Sequence, residues 1–240
     1  MMGVEGFDWR GTAASTLEWW AEAGVDVLVE EAARDWLAAP VAPAAVPEPG
    51  AVPSAGAMPG TWEAFRTWRT SAEAPDAGLH GVALTASGPA AAAVMVLADC
   101  PDPEDASAGA LLSGAAGRLF DRMLAAISLS RAEVHLAAVC AKRPLGGRPM
   151  REIEPQLFAC ARHHVGVIGP KRLLVIGDAA SRAILGTEVI RARGISHPFH
   201  QEGRDVSVVA TWHPRLLLKQ PERKADAWKD LRLLIDGLDR

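Results

Sequence analysis

Residues 173–186 read LLVIGDAASRAILG. Leu173 to Ile176 are apolar without alternation, the pattern of a strand covered on both faces. Gly177 follows the run, and Asp178 caps a helix expected over Ala179–Leu185. Strand, tight turn and helix together make half of a βαβ unit.

The same rhythm continues in both directions. Short apolar runs predict further strands at Val94–Ala98, Val134–Val139 and Val206–Ala210. Helical spacing predicts helices over Gly114–Ile127, Glu152–Ile168 and Glu222–Leu238; in the first, Leu119, Phe120, Met123, Leu124 and Ile127 share one stripe. Strands alternating with helices imply an α/β fold, a three-layer sandwich around a central four-stranded parallel sheet. Ligands of such sheets bind beyond the carboxyl ends of the strands, so the loops starting near Asp99, Cys140, Gly177 and Thr211 are the informative ones. His80–Asp99 is long and uncharged inside, but Ser87-Gly88-Pro89 interrupts it, which predicts two short strands rather than a membrane helix.

Upstream, residues 12–37 predict two short helices, a hairpin with Trp19 and Trp20 in its core. Residues 39–60 hold six of the seventeen prolines and too little bulky apolar side chain to pack. The expected organisation is a helical hairpin over 1–38, a Pro/Ala-rich linker over 39–60 and an α/β domain over 61–240.

The chain has 240 residues, 49% of them hydrophobic and 22% charged, the profile of a globular protein with a full-sized core. Three widely spaced cysteines without a CxxC pair argue against a disulfide framework or a zinc ribbon and fit a reducing cytoplasm. Glu5 and Asp8 stand where a signal peptide would be basic. The absence of tyrosine excludes chemistry that uses a tyrosine nucleophile or acid. Residues 1–130 carry six Lys/Arg against seventeen Asp/Glu, a balance of −11, whereas residues 131–240 carry nineteen against twelve, a balance of +7. Only the second half suits a polyanion.

The loops carry the chemistry. After the first core strand comes ADCPDPED (98–105), and after the last comes TWHPRLLLK (211–219). A carboxylate, Asp99, and an imidazole, His213, thus stand at the ligand-binding ends of two strands of one sheet. A capping Asp99 and a packed His213 would account for the same spacing. Arg143, Arg148, Arg215, Lys219, Arg223 and Lys224 cluster in loops at the expected mouth and suit phosphates. His197-Pro198-Phe199-His200 is expected to be an ordinary loop rather than a metal pair, and His163-His164 to lie mid-helix, partly toward solvent.

The stretch from Gly81 to Leu234 resembles the uracil-DNA glycosylase superfamily, nearest to the bacterial family-four type. That family carries GEAPG-x-x-ED, GRPFVGRAG, TN-x-x-KCRPP and HPS-x-LLR motifs. The matching segments are ATWHPRLLLKQPERKADAWKDLRLL (210–234), GRLFDRMLAAISL (117–129) and LLVIGDAASRAILG (173–186). The resemblance implies excision of a damaged base flipped out of DNA, with catalytic roles for Asp99, His213 and, at the second acidic position, Glu104. It places a base pocket at Cys100, Pro101, Leu112 and Ala138, and DNA contacts at Arg143, Arg148, Arg215 and Lys219.

Departures from the motifs qualify that picture. Leu112 stands where the family has its stacking aromatic, and Ala138 where it has the asparagine that reads the base edge, so weak or altered uracil activity is expected. Lys142 aligns with one cluster cysteine and only Cys160 of the family's four remains, so no iron–sulfur cluster and no other cofactor is expected. The implied partner is DNA, without membrane association; the chain is expected to be monomeric, with the N-terminal hairpin available to a protein partner. The competing reading is a catalytically inactive module that keeps the fold to bind DNA or a repair partner. A nucleotide- or phosphate-binding α/β enzyme lacks its glycine-rich loop.

Overall fold

The computed structural model describes residues 58–201 and 203–238, together with Ser15. Apart from these, the expected hairpin and linker lie outside the described residues. The core is a five-stranded sheet in the order β2-β1-β3-β5-β4, formed by β1 (Val94–Ala98), β2 (Val134–Ala138), β3 (Arg172–Ile176), β4 (Ser196–Gln201) and β5 (Arg204–Thr211). β2, β1, β3 and β5 are parallel, as the unbroken apolar runs predict, and every residue of β1 is buried.

Five strands replace the expected four. His197-Pro198-Phe199-His200 is not a loop but the middle of β4, antiparallel to β5 with Pro198 opposite Ser207. Its exposure alternates, with His197 and His200 on opposite faces, and an edge position tolerates the missing proline N–H. The reverse holds for His80–Asp99, where only Val94–Ala98 forms a strand. Ser87 makes an isolated antiparallel bridge to Leu136, and Gly88-Pro89 ends the pairing at once. A Cβ on Gly88 would lie 2.0 Å from the Val134 carbonyl oxygen.

The described helices are α1 (Trp62–Arg69), α2 (Pro103–Ala108), α3 (Gly114–Ala126), α4 (Glu154–Ile168), α5 (Asp178–Leu185), α6 (Val189–Ala192), α7 (Pro214–Lys219) and α8 (Lys224–Ile235). α3 buries Phe120, Met123 and Leu124, the stripe read in the sequence, and α4 buries Leu157, Cys160 and Val165. Each such side chain contributes about 1.5–3 kcal/mol of transfer free energy. α5 begins one residue before expectation: Gly177 is its N-cap, and the Asp178 carboxylate accepts from the Val189 amide at 3.0 Å. His164 is buried rather than partly solvated, with its Nε2 3.0 Å from Nε2 of His135.

α1 is held by a buried ion pair. Arg69 pairs with Asp76 and also donates to the Val139 carbonyl at 2.9 Å, while Asp76 accepts from the amides of Ala141 and Lys142. Arg69 lowers the Asp76 pKa against the cost of burial. No helix of the described residues is long and apolar enough to cross a membrane.

The strand order sets the site. From β1 the chain goes to β2 on one side and later to β3 on the other, so the direction of winding reverses between β1 and β3. The loops leaving their carboxyl ends diverge and open a crevice there.

Candidate active site

A cleft of about 850 Å³ lies at that switch point, bordered by Asp99, Asp102, Glu104, Gly177, Trp212, His213 and Arg215. Asp99 directly follows β1. Its Oδ1 accepts from the Ala180 amide in the first turn of α5 at 2.9 Å, and its Oδ2 from Arg215 Nη2 at 3.3 Å. Burial pushes the carboxyl up to about 6; the Ala180 amide and Arg215 pull it down, and Asp178 pushes it up. The close approach to α5 depends on Gly177 at φ +96°, where a Cβ would sit 2.2 Å from Asp99 Oδ2.

His213 follows β5 and caps α7. Its Nδ1 accepts from the Arg215 amide at 3.2 Å, which leaves the proton of the neutral ring on Nε2. That Nε2 is buried with no partner among the described residues. Burial first, and the Arg215 charge second, lower the His213 pKa to about 3, so the ring is neutral at physiological pH. Asp99 and His213 therefore offer a charged acceptor and a neutral donor to one cleft.

The 98–105 loop is built around a carboxylate that sequence reasoning missed. Asp105 is buried, and its oxygens accept from the amides of Asp102 at 2.9 Å, Leu112 at 3.1 Å and Ser113 at 2.7 Å. Its place three residues after Asp102, with Pro103 between, was the available signal for a helix start. Arg215 Nη1 donates to Asp102 Oδ1 at 2.8 Å, while Asp102 Oδ2 is buried without a partner among the described residues. Trp212 is a second omission: its ring borders the cleft with Arg223 stacked 4.3 Å from the centroid.

Of the other expected site residues, Glu104, Arg143, Arg148, Arg215 and Lys219 all border the cleft. Glu104, Arg148 and Lys219 are exposed, and Arg143 donates to the Pro101 carbonyl at 2.5 Å. Cys100 and Pro101 are buried in the loop, with the Cys100 sulfur 3.0 Å from that of Cys140. Leu112 and Ala138 do not border the cleft. Leu112 is buried at φ +51°, and Ala138 lines a separate cavity of about 20 Å³ beside Trp62, Phe65 and His164.

The residues present do not fit a thiolate-bound iron–sulfur cluster. The chain has three cysteines in all. Lys142 sends its Nζ to the carbonyls of Ala77 and Leu79, and Cys160 packs with Phe65 and Trp68 near the Arg69 charge. Burial raises the Cys160 thiol to about 11.

Comparison with known proteins accords with this geometry. The chain is 27% identical over 155 residues to a type-4 uracil-DNA glycosylase of Pyrobaculum aerophilum, covering 61% of this chain and 79% of that protein. It is 26% identical over 148 residues to a type-4 uracil-DNA glycosylase of Archaeoglobus fulgidus, covering 59% and 74%. A third such enzyme, from Sulfurisphaera tokodaii, is 24% identical over 151 residues, covering 59% and 68%. These relatives are archaeal, whereas the sequence motifs pointed toward the bacterial type. The family model for the uracil DNA glycosylase superfamily matches residues 85–232, the span that contains the parallel sheet and both cleft loops, and on that match the chain belongs to the uracil DNA glycosylase superfamily.

Proposed function

We propose that this uracil-DNA glycosylase-like protein hydrolyses the N-glycosidic bond of a damaged base flipped out of DNA, with weak or altered activity toward uracil. The observation that carries the reading is the pairing in one cleft of a buried carboxylate and a neutral, unpartnered imidazole donor. Cleavage of the bond leaves positive charge on the sugar and negative charge on the departing base. Asp99, ionised above about pH 6, stabilises the first or orients the attacking water. The Nε2 hydrogen of His213 donates to the second without a proton being lost to solvent. Glu104, exposed at the mouth, is the second carboxylate available to water.

The DNA strand follows Arg143, Arg148, Arg215 and Lys219 along the rim. Among the described residues the cleft lining holds no asparagine or glutamine amide, and Leu112 and Ala138 lie outside it, so specificity for uracil suffers before bond cleavage does. The same reading takes the protein to act as a cytoplasmic monomer, with residues 1–38 available to a protein partner.

The test is incubation with oligonucleotides that carry a panel of damaged bases, followed by cleavage at abasic sites. Release of at least one base, lost in Asp99→Ala and in His213→Ala, is the expected result. The loss of a donor of this kind costs about 10²–10³ in rate. Tight DNA binding without release of any base would favour the inactive module instead.

A further inference from the structure

Arg215 reaches into the site in a way that a phosphate contact on the rim does not require. Its two terminal nitrogens are divided between two buried carboxylates, Nη2 to Asp99 Oδ2 at 3.3 Å and Nη1 to Asp102 Oδ1 at 2.8 Å. Its amide holds the Nδ1 of His213 at 3.2 Å. One residue therefore touches both members of the catalytic pair, and its side chain remains about one-third exposed.

The surroundings of Asp99 explain why it needs that contact. Facing it are Asp178 and the Ala179 and Ala180 amides of α5; Asp102 shares its arginine at the start of α2; on the β5–α7 side stand neutral His213 and Arg215. Two further carboxylates thus crowd the region, and Arg215 is the cation that contacts Asp99. A buried carboxyl with like charges nearby takes up a proton unless a cation opposes it.

We propose that Arg215 is a positioning residue for the glycosylase reaction: its guanidinium, clamped between Asp99 and Asp102, keeps the Asp99 carboxylate ionised and directed into the cleft, while its amide sets the tautomer of His213. The proposal rests on the glycosylase reading for its kinetic consequences and on geometry alone for its electrostatic ones. Loss of the guanidinium raises the pH at which Asp99 ionises. Loss of the Asp102 charge frees Arg215 to serve Asp99 alone and lowers it.

The experiment follows the carboxyl carbons of the full chain, labelled at aspartate, by NMR titration. Asp99 is assigned by the signal missing in Asp99→Asn, and folding is checked by thermal melting. Arg215→Gln is expected to move the Asp99 midpoint up by about one pH unit or more, Arg215→Lys to retain most of the native midpoint, and Asp102→Asn to move it down. In parallel, the acid limb of kcat/KM for whichever base is released should move with the midpoint, and activity lost in Arg215→Gln at pH 7 should return at higher pH. An Asp99 midpoint unmoved in Arg215→Gln, with only KM and salt dependence changed, would overturn the proposal and leave Arg215 a phosphate contact. If the folded glutamine variant is inaccessible, the Asp102→Asn shift decides alone, and a midpoint that fails to fall overturns the proposal. No base released by any variant, with the titration shifts present, would refute the glycosylase reading and uphold the electrostatic role of Arg215.

Discussion

At the scale of single residues, Asp99 and His213 are both displaced from their ordinary ionisation, in opposite senses. The folded Asp99 takes up a proton at about pH 6 where the unfolded chain waits until 3.8, so its contribution to stability falls as pH rises between those values. His213 behaves oppositely: the unfolded chain protonates near 6.5 and the folded ring near 3, so stability is lost as pH falls through that window. Between about pH 4 and 6 the two slopes cancel. Asp99→Asn should therefore stabilise the protein at pH 7, by roughly 1–3 kcal/mol, and expose the acid loss due to His213. Denaturant melts of both proteins from pH 4 to 7 test this; a wild-type slope unchanged by the substitution would contradict it. For catalysis, kcat/KM should rise through about pH 6 as Asp99 ionises and show no limb from His213 above pH 4. A pH–rate profile with a second limb abolished by His213→Gln would contradict the neutral imidazole.

Among elements, the β3–α5 turn and the β5–α8 contact place these side chains. Gly177→Ala introduces a Cβ 2.2 Å from Asp99 Oδ2 at a positive φ, so either the turn or the carboxylate must move. The expected outcome is a folded protein with base release reduced at least about tenfold, since small misplacements at a reacting centre cost that much. Full activity with native stability would mean that Asp99 does not work from this position. Asp230 ties α8 to the sheet: it accepts from Thr211 Oγ1 at 2.9 Å, from Arg193 Nε and Nη2 at 3.2 Å each and from the Gly194 amide at 3.1 Å. Removing a fully buried partner strands the others, so Asp230→Ala should cost about 3–5 kcal/mol, measurable as a shift in denaturant midpoint at constant slope. The AWKDL segment that marked the resemblance owes its aspartate to this anchorage, not to contact with the cleft. The Arg69–Asp76 pair serves α1 in the same manner.

For the molecule as a whole, charge asymmetry governs the encounter with DNA. The cationic side chains on the rim belong to the half with the +7 balance, and the acidic half contributes Asp99, Asp102 and Glu104 to the floor and mouth of the same cleft. Affinity should fall steeply with salt, log K dropping by about 0.9 per log unit of salt for each phosphate neutralised on duplex DNA. Substituting Arg148 and Lys219, which are exposed and distant in chemistry from the catalytic pair, should reduce that slope by about two. Fluorescence anisotropy across a salt series measures it; an unchanged slope would place the DNA path elsewhere.

The sequence by itself determined the α/β class, the four parallel strands and the two loops that carry Asp99 and His213. Apolar runs and helical stripes are local signals, and in a parallel sheet the ligand end follows from chain direction alone. It did not reveal β4, because Ser196–Gln201 reads SHPFHQ, with Phe199 its one bulky apolar residue beside a proline, and becomes a strand only by pairing with β5. Nor did it reveal that Leu112 and Ala138 stand away from the cleft, that Asp105 ties the 98–105 loop together, or that Arg215 reaches Asp99 across 116 positions of chain. Apart from the Asp105 contacts, which span three to eight positions, those are contacts between segments remote in sequence. Their geometry is set by how helices pack on the sheet, which no local pattern of residues encodes.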